Sequence, residues 1–257
     1  DWQIDGYFLG PLDAVRDDRP SARLQELGVE AAGPLINAIG DETPTRCVWY
    51  SCRVGGGFWI LSVGVFAEEL LESLSGLHLK GEEWRTWSAA IKERGEEETL
   101  AELAERGNHT SIDASRRLLS LWPNRIEKVI AGARTATDKY VRERLADLIA
   151  RSNQDVTAYL LEELSSNLLS VRIGAARALF DRGRREGLEM FLANWTAGSF
   201  EDGLSPTSGN TLEHESALSD LVRLLLESGD VKTLDAVLAE LLSRPPYIRV
   251  AVLHALS

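Results

Sequence analysis

A short phrase that opens an apolar helix returns after thirty residues. Asp138-Lys-Tyr-Val-Arg142 stands before one such helix and Leu168-Leu-Ser-Val-Arg172 before the next. Pro245-Pro-Tyr-Ile-Arg249 opens a third with the same small apolar pattern, and Asp41-Glu-Thr-Pro-Thr-Arg46 precedes an earlier one. A fixed return of this length constrains the chain strongly. Each unit is too small to bury its own apolar face and must stack on its neighbours.

The stretches between these marks have helical spacing. Val141, Leu145, Leu148 and Ile149 make one stripe. Val156, Leu160 and Leu164 make another, Val171, Ala175, Ala178 and Leu179 a third, and Leu234, Val237, Leu238, Leu241 and Leu242 a fourth. The breaks between helices are short, as at Ala150-Arg-Ser-Asn153 and Asp181-Arg-Gly-Arg184, and short links force neighbouring helices antiparallel. Alternating β-branched runs are scarce, so the expected class is all-α.

The Asp-x-x-Val-Arg turn, followed by a small-apolar helix such as Val171-Arg-Ile-Gly-Ala-Ala-Arg-Ala-Leu179, resembles the short bacterial HEAT-like repeats. Ala22-Arg-Leu-Gln-Glu-Leu-Gly28 followed by Ala31-Ala-Gly-Pro-Leu-Ile-Asn-Ala-Ile39 fits their two-helix unit. The resemblance implies a right-handed α-solenoid of about seven helical pairs over residues 21–257. It gives Arg46, Arg142, Arg172 and Arg249 a bracing role between successive repeats. On this reading, first helices fall near 21–27, 43–53, 82–94, 111–121, 138–151, 168–182 and 213–227. Second helices fall near 29–39, 96–106, 124–134, 153–165, 186–195 and 231–242. Residues 1–20 and Gly55-Gly-Gly57 lie outside the pattern. The Gly-, Ser- and Pro-rich stretch 197–211 reads as an exposed loop insertion.

The uncharged run Val54–Ala67 is short of the roughly 20 residues that span a bilayer and reads as a buried helix. Cys47 and Cys52 would lie roughly 7.5 Å apart along a helix axis, which disfavours a disulfide. Sparse cysteine suits a reducing, cytoplasmic setting. The 23 Arg against 5 Lys read as a compositional bias of a bacterial genome before they read as function. The chain opens without Met and closes inside a helical pattern, which reads as a piece of a longer protein.

Chemistry is thinly signalled. His214-Glu215, in Thr211-Leu-Glu-His-Glu-Ser-Ala-Leu218, resembles the His-Glu helix starts of deoxyhypusine hydroxylase, a HEAT-repeat di-iron enzyme. Such a site needs several His and carboxylate ligands converging from different helices. None of the other three histidines is followed by Glu, and an ordinary helix start is the simpler reading. Short HEAT-like units also occur in phycobilin lyases, but Cys47 and Cys52 sit in no lyase motif. The run Arg172, Arg177, Arg182, Arg184, Arg185 leaves a DNA-binding module open, although Asp181 and Glu186 interrupt it and favour a salt-bridged helix face. The net charge of −12 opposes nucleic acid and anionic membranes. The expectation is therefore a non-enzymatic protein-interaction scaffold without metal or cofactor. Trp84 and Trp87, on one helical face, are read as core.

The second helices carry 14 acidic and 5 basic residues, the first helices 13 and 16. In solenoids of the resembled family the second helices line the concave side. That implies an acidic groove built from Glu102, Glu105, Asp155, Glu162, Glu163, Glu189 and Asp235, taking a basic protein or peptide. Helix N-termini favour acids in any case, so local helix chemistry remains the competing explanation.

Overall fold

The computed structural model describes residues 28–50, 58–193 and 222–229, with scattered positions from 231 to 253. The expectations on 1–20, 197–211 and His214 lie outside the described residues. Among these residues the regular structure is helical apart from one hairpin. No described helix is long and apolar enough to cross a membrane. The chain divides into two compact units, 1–125 and 126–257.

In the first unit a 3₁₀ turn, Gly28–Ala31, leads into α1 (Ala32–Ala38). The strands β1 (Pro44–Tyr50) and β2 (Phe58–Ser62) pair antiparallel, with Trp49 opposite Trp59 and Tyr50 opposite Phe58. Then come α2 (Val63–Ser75), α3 (Glu82–Arg94), α4 (Glu96–Glu105) and α5 (His109–Leu121). The hairpin corrects the sequence reading. A helix over 43–53 and a buried helix from Val54 were expected. Instead Arg46 and Cys47 lie in β1, so neither the helix-start role of Arg46 nor the helical Cys47–Cys52 spacing holds. The physical reason is local. Cys47-Val-Trp-Tyr50 and Phe58-Trp-Ile-Leu61 are rich in β-branched and aromatic residues, and three glycines stand between them in the sequence.

The helices of this unit begin and end where the chemistry of their ends dictates. The Ser62 hydroxyl accepts from the Val65 N–H to start α2, and Gly76 at φ 68° ends it. Asn108 and Ser111 form a reciprocal capping box at α5. The core gathers Leu70, Leu71, Leu77, Trp84, Leu100 and Leu118. Trp84 and Trp87 meet edge to face with ring centres 5.5 Å apart, both buried as the sequence implied. Arg117 of α5 joins three helices. Its Nη1 donates to the Leu74 carbonyl near the end of α2 at 2.8 Å, and its Nε donates to Glu96 at the start of α4 at 2.7 Å. Cation at a C-terminus and anion at an N-terminus both suit the helix dipoles.

The second unit runs α6 (Ile126–Thr135), α7 (Lys139–Ala150), α8 (Thr157–Glu163), α9 (Leu169–Asp181) and α10 (Arg185–Ala193), and residues 222–228 are again helical. Its core includes Val129, Val141, Leu145, Ile149, Leu160, Leu164 and Leu179. Helix α7 packs on α6 and α9, and α9 packs also on α8 and α10.

The starts of α3, α5, α7 and α9 are spaced 27, 30 and 30 residues apart, and those of α4, α6, α8 and α10 are spaced 30, 31 and 28 apart. Arg142 and Arg172 are each the fourth residue of their helix. Their backbone N–H groups donate to Asp138 and Leu168, the residues just before each helix, at 3.0 and 3.1 Å. Helix starts thus recur at intervals of 27 to 31 residues along the described chain. Helix α2 overlaps the buried helix expected over Val54–Ala67 only at its first five residues, and Glu68 to Ser75 lie outside the expected set.

Three glycines give a test of this packing. A Cβ on Gly64 would lie 2.7 Å from the Gly40 backbone nitrogen, which cannot yield. A Cβ on Gly187 would lie 2.6 Å from Leu179 Cδ1 and 2.7 Å from its Cβ, which the backbone holds in place, and one on Gly174 would meet nothing within 4 Å. We expect Gly64→Ala and Gly187→Ala each to cost about 1–3 kcal/mol by overpacking. Gly174→Ala should stabilise by about 0.5–1 kcal/mol, because alanine is the better helix former. Urea unfolding of the three variants, followed by helical circular dichroism, checks both signs.

Candidate binding groove

Helices α7 and α9 lie side by side and leave a groove of about 870 Å3, with α8 contributing to its lining. Turn-spaced residues of α7 form one wall: Tyr140, Glu143, Arg144, Asp147 and Arg151. Ser170, Gly174, Arg177 and Asp181 form the facing wall on α9, and α8 adds Tyr159, Leu160 and Glu163.

The groove is tied at both ends. Near the helix starts the Ser170 hydroxyl donates to Glu143. Near their ends Arg182 donates to the carbonyls of Ala150, at 3.0 Å, and Ser152, at 2.5 Å, and also to Ala178 of its own helix at 2.9 Å. Start bonded to start and end to end requires α7 and α9 to run parallel. A guanidinium on the last carbonyls of a helix also complements its dipole.

The charges on the walls are mostly spent within the protein. Asp147 pairs with Arg151 at 2.9 Å and Asp181 with Arg177 at 3.0 Å. Arg177 also reaches Glu227 at 2.7 Å. Arg144 instead stacks over Tyr140, 5.1 Å from the ring centre. The surface offered is therefore polar, small-featured and alternating in sign. The middle of the α9 wall is Gly174, exposed and without a neighbour for a side chain.

Beneath the groove lies a buried polar cluster. Glu163 is only 3% exposed, and both its oxygens accept from Arg142 Nη2, at 3.2 and 3.3 Å. Burial, then the Glu163 charge, pushes the Tyr159 hydroxyl well above its ordinary range. The hydroxyl is close enough to feel that charge, yet it makes no hydrogen bond of sound geometry.

The seven acids expected to line a concave face are placed variously. Glu102 and Glu105 belong to the first unit and the other five to the second, so each set stands by itself. Glu102 is held between Arg94, at 2.6 Å, and Arg106, at 2.9 Å. The Arg106 hydrogen bond holds its carboxyl below the usual range. Glu105, its neighbour one turn on, is half-buried and engaged. Asp155 is exposed just before α8, and the Thr157 hydroxyl, then the Thr157 N–H at 3.1 Å, keeps its pKa low. Glu162 faces outward to Arg134 of α6 at 2.6 Å, whereas Glu163 turns inward to Arg142. Glu189 on α10 and Asp235 are exposed. In Glu102, Glu162 and Glu163 the acid excess on second helices is answered locally by arginine.

In the Arg172–Arg185 run Arg177 pairs with Asp181 and Arg184 with Glu186 at 3.3 Å, while Arg182 is held by backbone carbonyls. Among the described residues no three His, Cys, Asp or Glu side chains converge as metal ligands would.

Of the groove residues, sequence reading had singled out only Glu163 as a binding residue and missed the two walls. The available signal was Tyr140, Glu143, Arg144 and Asp147 on the face of α7 opposite Val141, Leu145 and Ile149. Such a face looks like any solvated helix surface until a neighbouring helix lies beside it.

The polar cluster makes two predictions for equilibrium unfolding. Glu163→Gln should cost about 2–3 kcal/mol, below the roughly 3–5 of fully buried pairs because Arg142 reaches solvent. Tyr159→Phe should change stability by less than about 0.5 kcal/mol, because the hydroxyl it removes has no partner; a loss near 1 kcal/mol would show a hydrogen bond to Glu163. No protein-family model, curated protein or solved structure matches this chain, so the groove is interpreted from its own geometry.

Proposed function

We propose that this chain is a non-catalytic protein-interaction scaffold, a HEAT-like right-handed α-solenoid, whose α7–α9 groove holds a segment of a protein partner. Two features support the reading. The thirty-residue return of the helix starts is the arrangement expected where successive helical pairs stack and expose a continuous surface. The observation that carries the site is Gly174, a mid-helix glycine that neither backbone geometry nor packing requires, open at the centre of the groove. It lets another chain approach the α9 backbone closely.

The partner is proposed to be basic overall. The net charge of −12 gives the chain a field that steers cations toward it. The groove itself, with alternating charges on its walls, then selects by local pairing. The long-range field comes from the excess of acid over arginine, to which exposed acids such as Glu189 and Asp235 contribute, because a carboxylate paired with arginine cancels at a distance and acts only at short range.

The test uses a partner captured from the native host. Gly174→Leu should fold, since its side chain enters open space, and should weaken partner binding at least tenfold, about 1.4 kcal/mol. Rising salt should slow association of the unmodified protein as the Debye length shortens from about 10 Å at 0.1 M. A partner that binds Gly174→Leu as tightly as the parent does not use this groove.

A further inference from the structure

The two arginines that mark the repeat are equivalent in position and unequal in surroundings. Arg142 is the fourth residue of α7, and its guanidinium holds the buried Glu163 carboxylate. Arg172 is the fourth residue of α9, half-buried, and its side chain makes no hydrogen bond or ion pair with any described residue. Its Nε is buried without an acceptor, as is that of Arg142, so the two differ at the terminal nitrogens, which in Arg142 hold Glu163. Burial holds the Arg172 pKa below its ordinary value, and no acid among the described residues acts in the opposite direction.

The sequence repeats the arginine without repeating its acid. Glu163 stands 21 residues after Arg142, and the residue at that distance from Arg172 is Ala193. Counted along the second helices, Glu163 is the seventh residue of α8 and Phe191 the seventh of α10. A half-buried guanidinium without an anion has lost part of its hydration and gained nothing in exchange. Its planar fork is built to take two oxygens side by side.

We propose that Arg172 is a receptor for an external oxyanion, a carboxylate or a phosphate, bound in the place that Glu163 fills for Arg142. The site is separate from the α7–α9 groove: Arg172 does not line it, and Gly174→Leu would leave it intact.

The test compares the protein with Arg172→Met and Arg142→Met, using sodium acetate and inorganic phosphate as probes against chloride at equal ionic strength. In chloride, Arg142→Met should lower the Tm because it strands a buried carboxylate, while Arg172→Met should keep or raise it. Acetate or phosphate should raise the Tm of the parent and leave Arg172→Met unmoved. In the same titration one arginine Nε–H resonance, missing from the spectrum of Arg172→Met, should shift and saturate. Saturation by acetate alone assigns a carboxylate-bearing partner, and saturation by phosphate alone a phosphorylated one. If Arg172→Met loses as much Tm as Arg142→Met, an acid of the chain already occupies the guanidinium and the proposal fails. It fails equally if neither probe moves the resonance.

Discussion

The described helices are short, from 7 to 13 residues, and none would be stable in water alone. What holds them is the burial of one apolar ridge per helix against its neighbours. In α7 the ridge is Val141, Leu145 and Ile149, all without solvent exposure, and in α9 it includes Ile173, Ala176 and Leu179. Once those ridges are buried, the remaining faces are fixed. Tyr140, Arg144 and Asp147 must turn toward the groove, and Arg142 must turn toward α8. The polar features of the second unit are therefore consequences of one hydrophobic constraint, applied twice at a thirty-residue interval.

The arginines then serve as ties whose worth depends on what they meet. Arg117 and Arg182 reach backbone carbonyls at helix ends, where their charge complements the dipole. Arg142 meets a buried carboxylate, and removing either member leaves the other uncompensated. Pairs such as Arg85 with Glu82 or Arg151 with Asp147 lie in solvent and contribute little apiece. The acid excess that stood out in the sequence is thus divided. Glu163 is structural, Glu102 and Glu162 are surface partners of arginine, and Glu189 and Asp235 remain exposed.

The sequence made the helices legible because their stripes are local. The expected 82–94 and 168–182 correspond to Glu82–Arg94 and Leu169–Asp181. It misled at 43–62, where Asp41-Glu-Thr-Pro-Thr-Arg46 imitated a helix start while the next residues, Cys47 to Tyr50, carried strand-forming side chains. That conflict could have been resolved by weighing the second apolar run, Phe58 to Leu61, as its pairing partner. The site was less legible for a different reason. A link such as Arg142 to Glu163 spans 21 residues, and no local pattern announces it. The groove exists only once two faces of separate helices are brought together.

Glycine sharpens the distinction between what the fold needs and what it leaves open. Gly64 is forced by the backbone at Gly40 and Asp41, so its occurrence says nothing about function. Gly187 sits against the Cβ of Leu179 as well as its Cδ1, so the close approach of α10 to α9 requires it. Gly174 is under neither constraint, and in mid-helix it costs about 1 kcal/mol relative to alanine. Packing gives no return on that cost within the isolated chain. A surface that exchanges helix stability for an uncovered backbone gains only when something else covers it, which is why the groove rather than the dispersed acids carries the binding proposal.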